Sequence, residues 1–235
     1  MLHASCFMRK LIVTVSLLIS IQLSAVAAEI TVIDDFSDGF FEETLAPGEG
    51  LNQLQTGLSG VLGGERRFRA QDIRAIPGPG GTVTVGVLER DGGIAAVDSK
   101  VYVESLSLTY ENVQLNLTER GFSALNVDLN LSSLRNDFPG PLALGFDILT
   151  PQDTRIDAGA VLTELGKHTI SMNLDEFRIQ GPFDASNVDR ISLSVTTRSG
   201  VEVEIDRIYF VPEPVSVLNI LLGVLPLISG MRHCA

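Results

Sequence analysis

Ile191-Ser192-Leu193-Ser194-Val195-Thr196, followed by Val201-Glu202-Val203-Glu204-Ile205-Asp206-Arg207-Ile208-Tyr209-Phe210, decides the fold of this chain. An apolar residue at every second position puts all the apolar side chains on one face of an extended strand and the polar ones on the other. A helix would scatter the same residues around its axis. In the second stretch the phase slips: Val201, Val203 and Ile205 give way to Ile208 and Phe210. One extra residue near Asp206-Arg207 restores the pleat, so a β-bulge is predicted there, and a bulge re-aims a side chain.

The same period recurs outward from this point. Leu125, Val127, Leu129 and Leu131 alternate with Asn126, Asp128 and Asn130. Similar pieces are Glu29–Ile33, Glu65–Ala70, Thr82–Leu88, Val101–Tyr110, Val113–Thr118, Leu142–Leu149 and His168–Leu174. That makes nine or ten strands with one polar face each, the signature of antiparallel sheets packed on one side. Leu106, Leu108 and Tyr110 sit on even positions and Val113, Leu115 and Leu117 on odd ones, which predicts a hairpin turning at Glu111-Asn112. Gly and Pro clusters at 77–81, 91–93, 139–141 and 181–182 fall between strands. Only Leu51–Leu62 and Asp157–Leu165 read as short helix candidates. The expected class is all-β, an antiparallel β-sandwich or barrel.

Both ends read as targeting segments. Arg9-Lys10, the apolar Leu11–Leu23 and the small residues Ala25-Val26-Ala27 make a signal peptide over 1–27. The tail, 212–235, carries Pro212-Glu213-Pro214, an apolar run from Val215 to Met231, and Arg232-His233. Seventeen residues of helix reach about 25 Å, short of a hydrocarbon core of about 30 Å. A hydrophobic helix of that length fits a transient membrane hold. The motif, the helix and the basic end resemble a PEP-CTERM sorting tail. The resemblance implies export, an exosortase that reads Pro212, Glu213 and Pro214, and an extracellular or exopolysaccharide setting.

Between the signals lies one expected domain, 28–211. Of 17 basic residues Arg9, Lys10 and Arg232 lie outside it, leaving 14; of 29 acidic residues only Glu213 does, leaving 28. The domain is therefore near −14, without the clustered Lys and Arg that nucleic acid requires. Cys6 and Cys234 both fall in the targeting segments, so the domain has no disulfide and no thiol nucleophile. His168 is its single histidine, and no nucleophile elbow, zinc-spaced His pair or phosphate-binding glycine loop is present. Carboxylate pairs such as Glu42-Glu43 and Asp175-Glu176 show no spacing that selects a glycosidase pair. The reading is a non-catalytic protein, with a carbohydrate-binding module and, behind it, a hydrolase as competing readings.

The order of parts also resembles a jelly-roll of the galactose-binding-like type. The pieces that carry it are Ile33-Asp34-Asp35-Phe36, Gly63-Gly64-Glu65-Arg66, Gly121-Phe122-Ser123, Asn187–Leu193 and Ile205-Asp206-Arg207-Ile208-Tyr209-Phe210. That fold implies neighbouring first and last strands and a structural calcium beside them, for which Asp34, Asp35 and Asp206 are the candidate ligands; calcium takes six to eight oxygens, so carbonyls or water must add to these. The alternatives are that Asp34 starts a turn with Asp38-Gly39 and that Asp206 pairs with Arg207 or solvent. Sugar sites favour flat aromatic platforms. The chain has no Trp. Tyr102 and Tyr110 share a strand face with Leu106 and Leu108, while Tyr209 alternates with Phe210 and faces outward.

Overall fold

The computed structural model describes residues 29–74, 81–89, 94–99, 102–119, 121–133, 142–197 and 201–213. The signal peptide, Pro214 and the apolar tail lie outside the described residues. Among those described, no helix is long and apolar enough to cross a membrane. The compact unit spans Ile30–Pro212.

Among the described residues there are fourteen strands and one 3-10 turn, Leu174–Glu176. They are β1 (Thr31–Asp34), β2 (Phe41–Leu45), β3 (Leu51–Thr56), β4 (Glu65–Arg74), β5 (Val83–Leu88), β6 (Ile94–Ser99), β7 (Tyr102–Tyr110), β8 (Phe122–Ser133), β9 (Leu142–Leu149), β10 (Arg155–Leu162), β11 (Gly166–Asn173), β12 (Arg178–Gln180), β13 (Arg190–Thr197) and β14 (Val201–Pro212). One seven-stranded sheet runs β11-β8-β14-β6-β5-β2, with β1 also paired to β14; the other runs β12-β10-β9-β13-β7-β4-β3. Every pairing is antiparallel. The protein is an antiparallel β-sandwich of the jelly-roll kind.

The alternation read from the sequence becomes the core. Leu125, Val127, Leu129 and Leu131 of β8 and Val201, Val203, Ile205, Ile208 and Phe210 of β14 are buried. From the other sheet come Leu142, Leu144, Phe146 and Ile148 of β9, Ile191, Leu193 and Val195 of β13, and Leu106, Leu108 and Tyr110 of β7. Truncating one such Leu or Ile to Ala costs about 2–5 kcal/mol, because the close-packed neighbours relax only in part.

Three expectations are corrected. Val113–Thr118 is no hairpin partner of β7. Asn112 takes φ 59°, the chain turns away, and Val113, Leu115 and Leu117 bond instead to the backbone of Asp189, Val188 and Ala185. The parity of that segment was legible and its partner was not. The two helix candidates, Leu51–Leu62 and Asp157–Leu165, fall on β3 and on most of β10. Cross-strand pairing with β4 and with β9 overrides their weak helical pattern. β2, β6 and β12 are further strands beyond those expected.

Candidate functional site

The predicted bulge shapes the outer face of the first sheet. Ile205 stands opposite Leu129 and Arg207 opposite Asp128, so Asp206 is the extra residue. Ile205 and Ile208 point into the core. Asp206 and Arg207 therefore both face outward, where an unbroken strand would bury the arginine.

Register carries this face across three strands. Lys167, Asn130 and Glu204 form one row, Thr169, Asp128 and Arg207 the next, and Ser171, Asn126 and Tyr209 a third. Rows repeat about every 7 Å along the strands. Asp128 is the hub. Its Oδ1 accepts from Thr169 Oγ1 at 2.7 Å and from Tyr209 Oη at 3.3 Å, and its Oδ2 accepts from Arg207 Nη2 at 2.9 Å. Arg207 also lies over the Tyr209 ring, Cζ to centroid 4.3 Å. Its hydrogen bond to Asp128 pushes the guanidinium above its ordinary pKa. Asn126 Nδ2 donates to Tyr209 Oη at 3.4 Å, and Asn130 Nδ2 to Glu204 Oε2 at 3.3 Å. Beside this network is an open groove of about 480 Å³ lined by Asp128, Leu129, Lys167, His168, Thr169, Asp206 and Arg207.

The residues expected to bind calcium are not brought together. β1 does pair with β14, Asp34 opposite Ile208. Asp34, however, is buried, and both its oxygens bond Arg66 Nη1, at 3.1 and 2.9 Å. Arg66 Nε and Nη2 bond Gln55 Oε1, and Nη2 also donates to the Asp38 and Gly39 carbonyls. A guanidinium thus fills the place a cation would take. Asp34 Oδ1 also accepts the Phe36 N–H, a turn closed on Phe36 rather than on Asp38-Gly39. Burial raises the Asp34 pKa against the opposing pull of Arg66, and burial and then the Asp34 charge push Tyr110 well above the ordinary phenol value. Asp35 accepts the Ser37 N–H, and Asp206 faces outward on the bulge. Among the described residues, no three His, Cys, Asp or Glu side chains are placed to hold a metal. These residues do not fit a calcium cage.

His168 Nε2 donates to the Glu164 carbonyl at 2.9 Å, which binds the imidazole to backbone rather than to a carboxylate. Pro212 closes β14 opposite Phe122, and Ser123 Oγ donates to the Val211 and Pro212 carbonyls at 3.3 Å each; Glu213 follows, exposed. Tyr110 is in the core; Tyr209 stands in the Asn126 row but is itself buried, with Arg207 over its ring; the Tyr102 side chain lies outside the description. Sequence reading did not single out Asp128, Lys167 or Thr169 as a site. The polar positions of β8 and the phase slip at Asp206 were visible, but the register that joins them to β11 was not.

Neither a protein-family profile nor a curated protein sequence matches the chain. Solved structures do resemble it in shape. One is the family 11 carbohydrate-binding module of the cellulosomal cellulase Lic26A-Cel5E of Clostridium thermocellum, at 11% identity and TM-score 0.41, covering 79% of this chain and 96% of that one. Another is a carbohydrate-binding module, CBM28, specific for non-crystalline cellulose, at 12% identity and TM-score 0.40, covering 54% and 79%. A third is the agarase AgWH50C, at 13% identity and TM-score 0.41, where the match covers 55% of this chain and 22% of the enzyme.

Proposed function

We propose that the protein is an exported, non-catalytic β-sandwich that binds carbohydrate on the outer face of β8, β11 and β14. The observation that supports this most is the Asp128 network. A carboxylate, a guanidinium, a hydroxyl and carboxamides share one face beside a tyrosine, next to a groove of about 480 Å³. Sugar hydroxyls both donate and accept, and fixed planar carboxylate and guanidinium groups are suited to bonding them in pairs. An acid catalyst must carry a proton to the leaving group. Asp128 instead accepts from three donors, which suits a binding residue.

Delivery is part of the proposal. The signal peptide and the tail from Pro212-Glu213-Pro214 would send the domain across the membrane, with an exosortase removing the tail at the cell surface or in an exopolysaccharide layer. Mass spectrometry of the native protein tests this arm: a mature start near Ala28 and loss of the tail near Pro214 support it, and an intact Ala235 recovered from membranes overturns it. A glycan array probed with the purified chain tests the binding arm. Asp128→Ala is expected to weaken any glycan captured by about tenfold or more, the loss of a charge-assisted hydrogen-bond set. Equal capture by the variant would move the site elsewhere.

A further inference from the structure

We propose that the groove takes an uncharged, polyhydroxylated stretch of glycan and discriminates against uronate-rich and sulfated ones; this rests on the carbohydrate-binding reading above. The argument is one of charge matching at the groove. Its ionised side chains are Asp128 and Asp206 against Lys167 and Arg207, two of each sign. The arginine is the natural docking group for a carboxylate or sulfate, because its planar fork binds such anions through two bonds. Here Nη2 is held by Asp128 at 2.9 Å and the guanidinium face lies on Tyr209 at 4.3 Å. An incoming anion would compete with Asp128 from a position next to that carboxylate.

Lys167 does not reverse this. Its row continues through Asn130 to Glu204, and Glu202 follows two residues along the same outer face of β14. An anion approaching Lys167 therefore meets Glu204 across the sheet and Asp206 beside the groove. His168 also lines the groove, but its Nε2–H is committed to the Glu164 carbonyl. The domain as a whole, near −14, repels polyanions within the screening distance of about 8 Å at physiological salt. What the groove offers is acceptors on Asp128, donors on Arg207 and Lys167, and the Thr169 hydroxyl, which suits hydroxyl groups and no net charge.

Titration of the full purified chain with soluble neutral polysaccharides (a glucan, a galactan and a mannan) and with polygalacturonate and a sulfated galactan, each at low and at physiological salt, tests the assignment. The expected result is binding among the neutral polymers, with affinity changing less than about twofold between the two salt conditions, and at least about tenfold weaker binding of the charged ones. Thr169→Ala, on an edge strand, and Asp128→Ala should each lower the neutral binding while the unfolding temperature of the Thr169 variant stays unchanged. Preference for the polyuronate or the sulfated polymer, or an affinity that falls steeply with salt, overturns the ligand class and leaves the carbohydrate reading standing. Neutral binding unaltered in both variants overturns the groove as its site. Binding to none of the polymers overturns both readings.

Discussion

Two aspartate–arginine pairs of equal length, 2.9 Å, hold opposite places in this molecule. Asp34–Arg66 is fully enclosed, with both side chains at 0% exposure; Asp128–Arg207 is open, at 22% and 39%. Each arginine also meets an aromatic ring, Phe36 at 5.5 Å for Arg66 and Tyr209 at 4.3 Å for Arg207. Surroundings alone separate their roles. Inside, every guanidinium nitrogen is bonded to an oxygen, and the pair ties the turn after β1 to β3 and β4. Outside, water screens the attraction, and the pair is left within reach of a ligand.

The comparison breaks most directly at Arg66. Arg66→Ala leaves an uncompensated carboxyl and should cost about 3–5 kcal/mol in urea unfolding, whereas replacing both partners, Asp34→Leu with Arg66→Met, should cost less than the single change. A double variant worse than Arg66→Ala would show that the pair is needed for more than its own neutralisation. Gly39 comes next. Its φ is 71°, and a Cβ there would lie 2.6 Å from Arg66 Nη2, so Gly39→Ala should destabilise by about 1–2 kcal/mol from backbone strain alone. Stability unchanged by that alanine would mean the turn has room to shift.

A third, smaller effect is in pH. Asp34 has a folded pKa raised above 3.8, chiefly by burial. Between 3.8 and the raised value the folded chain holds the proton more often than the unfolded chain, so the stability contributed by this group falls as pH rises through that window. The difference in unfolding free energy, unmutated chain minus Asp34→Asn, should therefore shrink from acid towards neutral pH. A difference that grows would show that Arg66 outweighs burial. The smallest effect belongs to the outer pair: Arg207→Ala should change stability by about 0–1 kcal/mol while weakening glycan capture. A loss as large as that at Arg66 would erase the contrast.

Much of the architecture was legible in residue parity. Alternation at Leu125–Leu131 and Val201–Ile205 named the core, and the slip before Ile208 located the bulge. The hub of the inner pair was also within reach, because Arg66 shares its parity with the inward Phe68 and Ala70. An isolated charge at an inward position has no evident partner in a linear reading, because Asp34 is 32 residues away. The outer face needed still more. Thr169, Asp128 and Arg207 become one row only when two separate pairings fix their register. The hairpin expected at Glu111-Asn112 failed for the same reason: Val113–Leu117 found partners some 70 residues downstream, where no local rule points.

The position of β14 has a consequence for how the molecule comes into being. The final strand of the domain sits between β8 on one side and β6 and β1 on the other, and Phe210 stacks on Phe122 at 5.0 Å near its end. A chain that emerges N-terminus first, from a ribosome or through a narrow channel, cannot join β1, β6 and β8 into one sheet until its last strand arrives. Such long-range closure makes folding late and slow. A chain delivered in that way would stay open until β14 arrives, and that arrival would close the sheet.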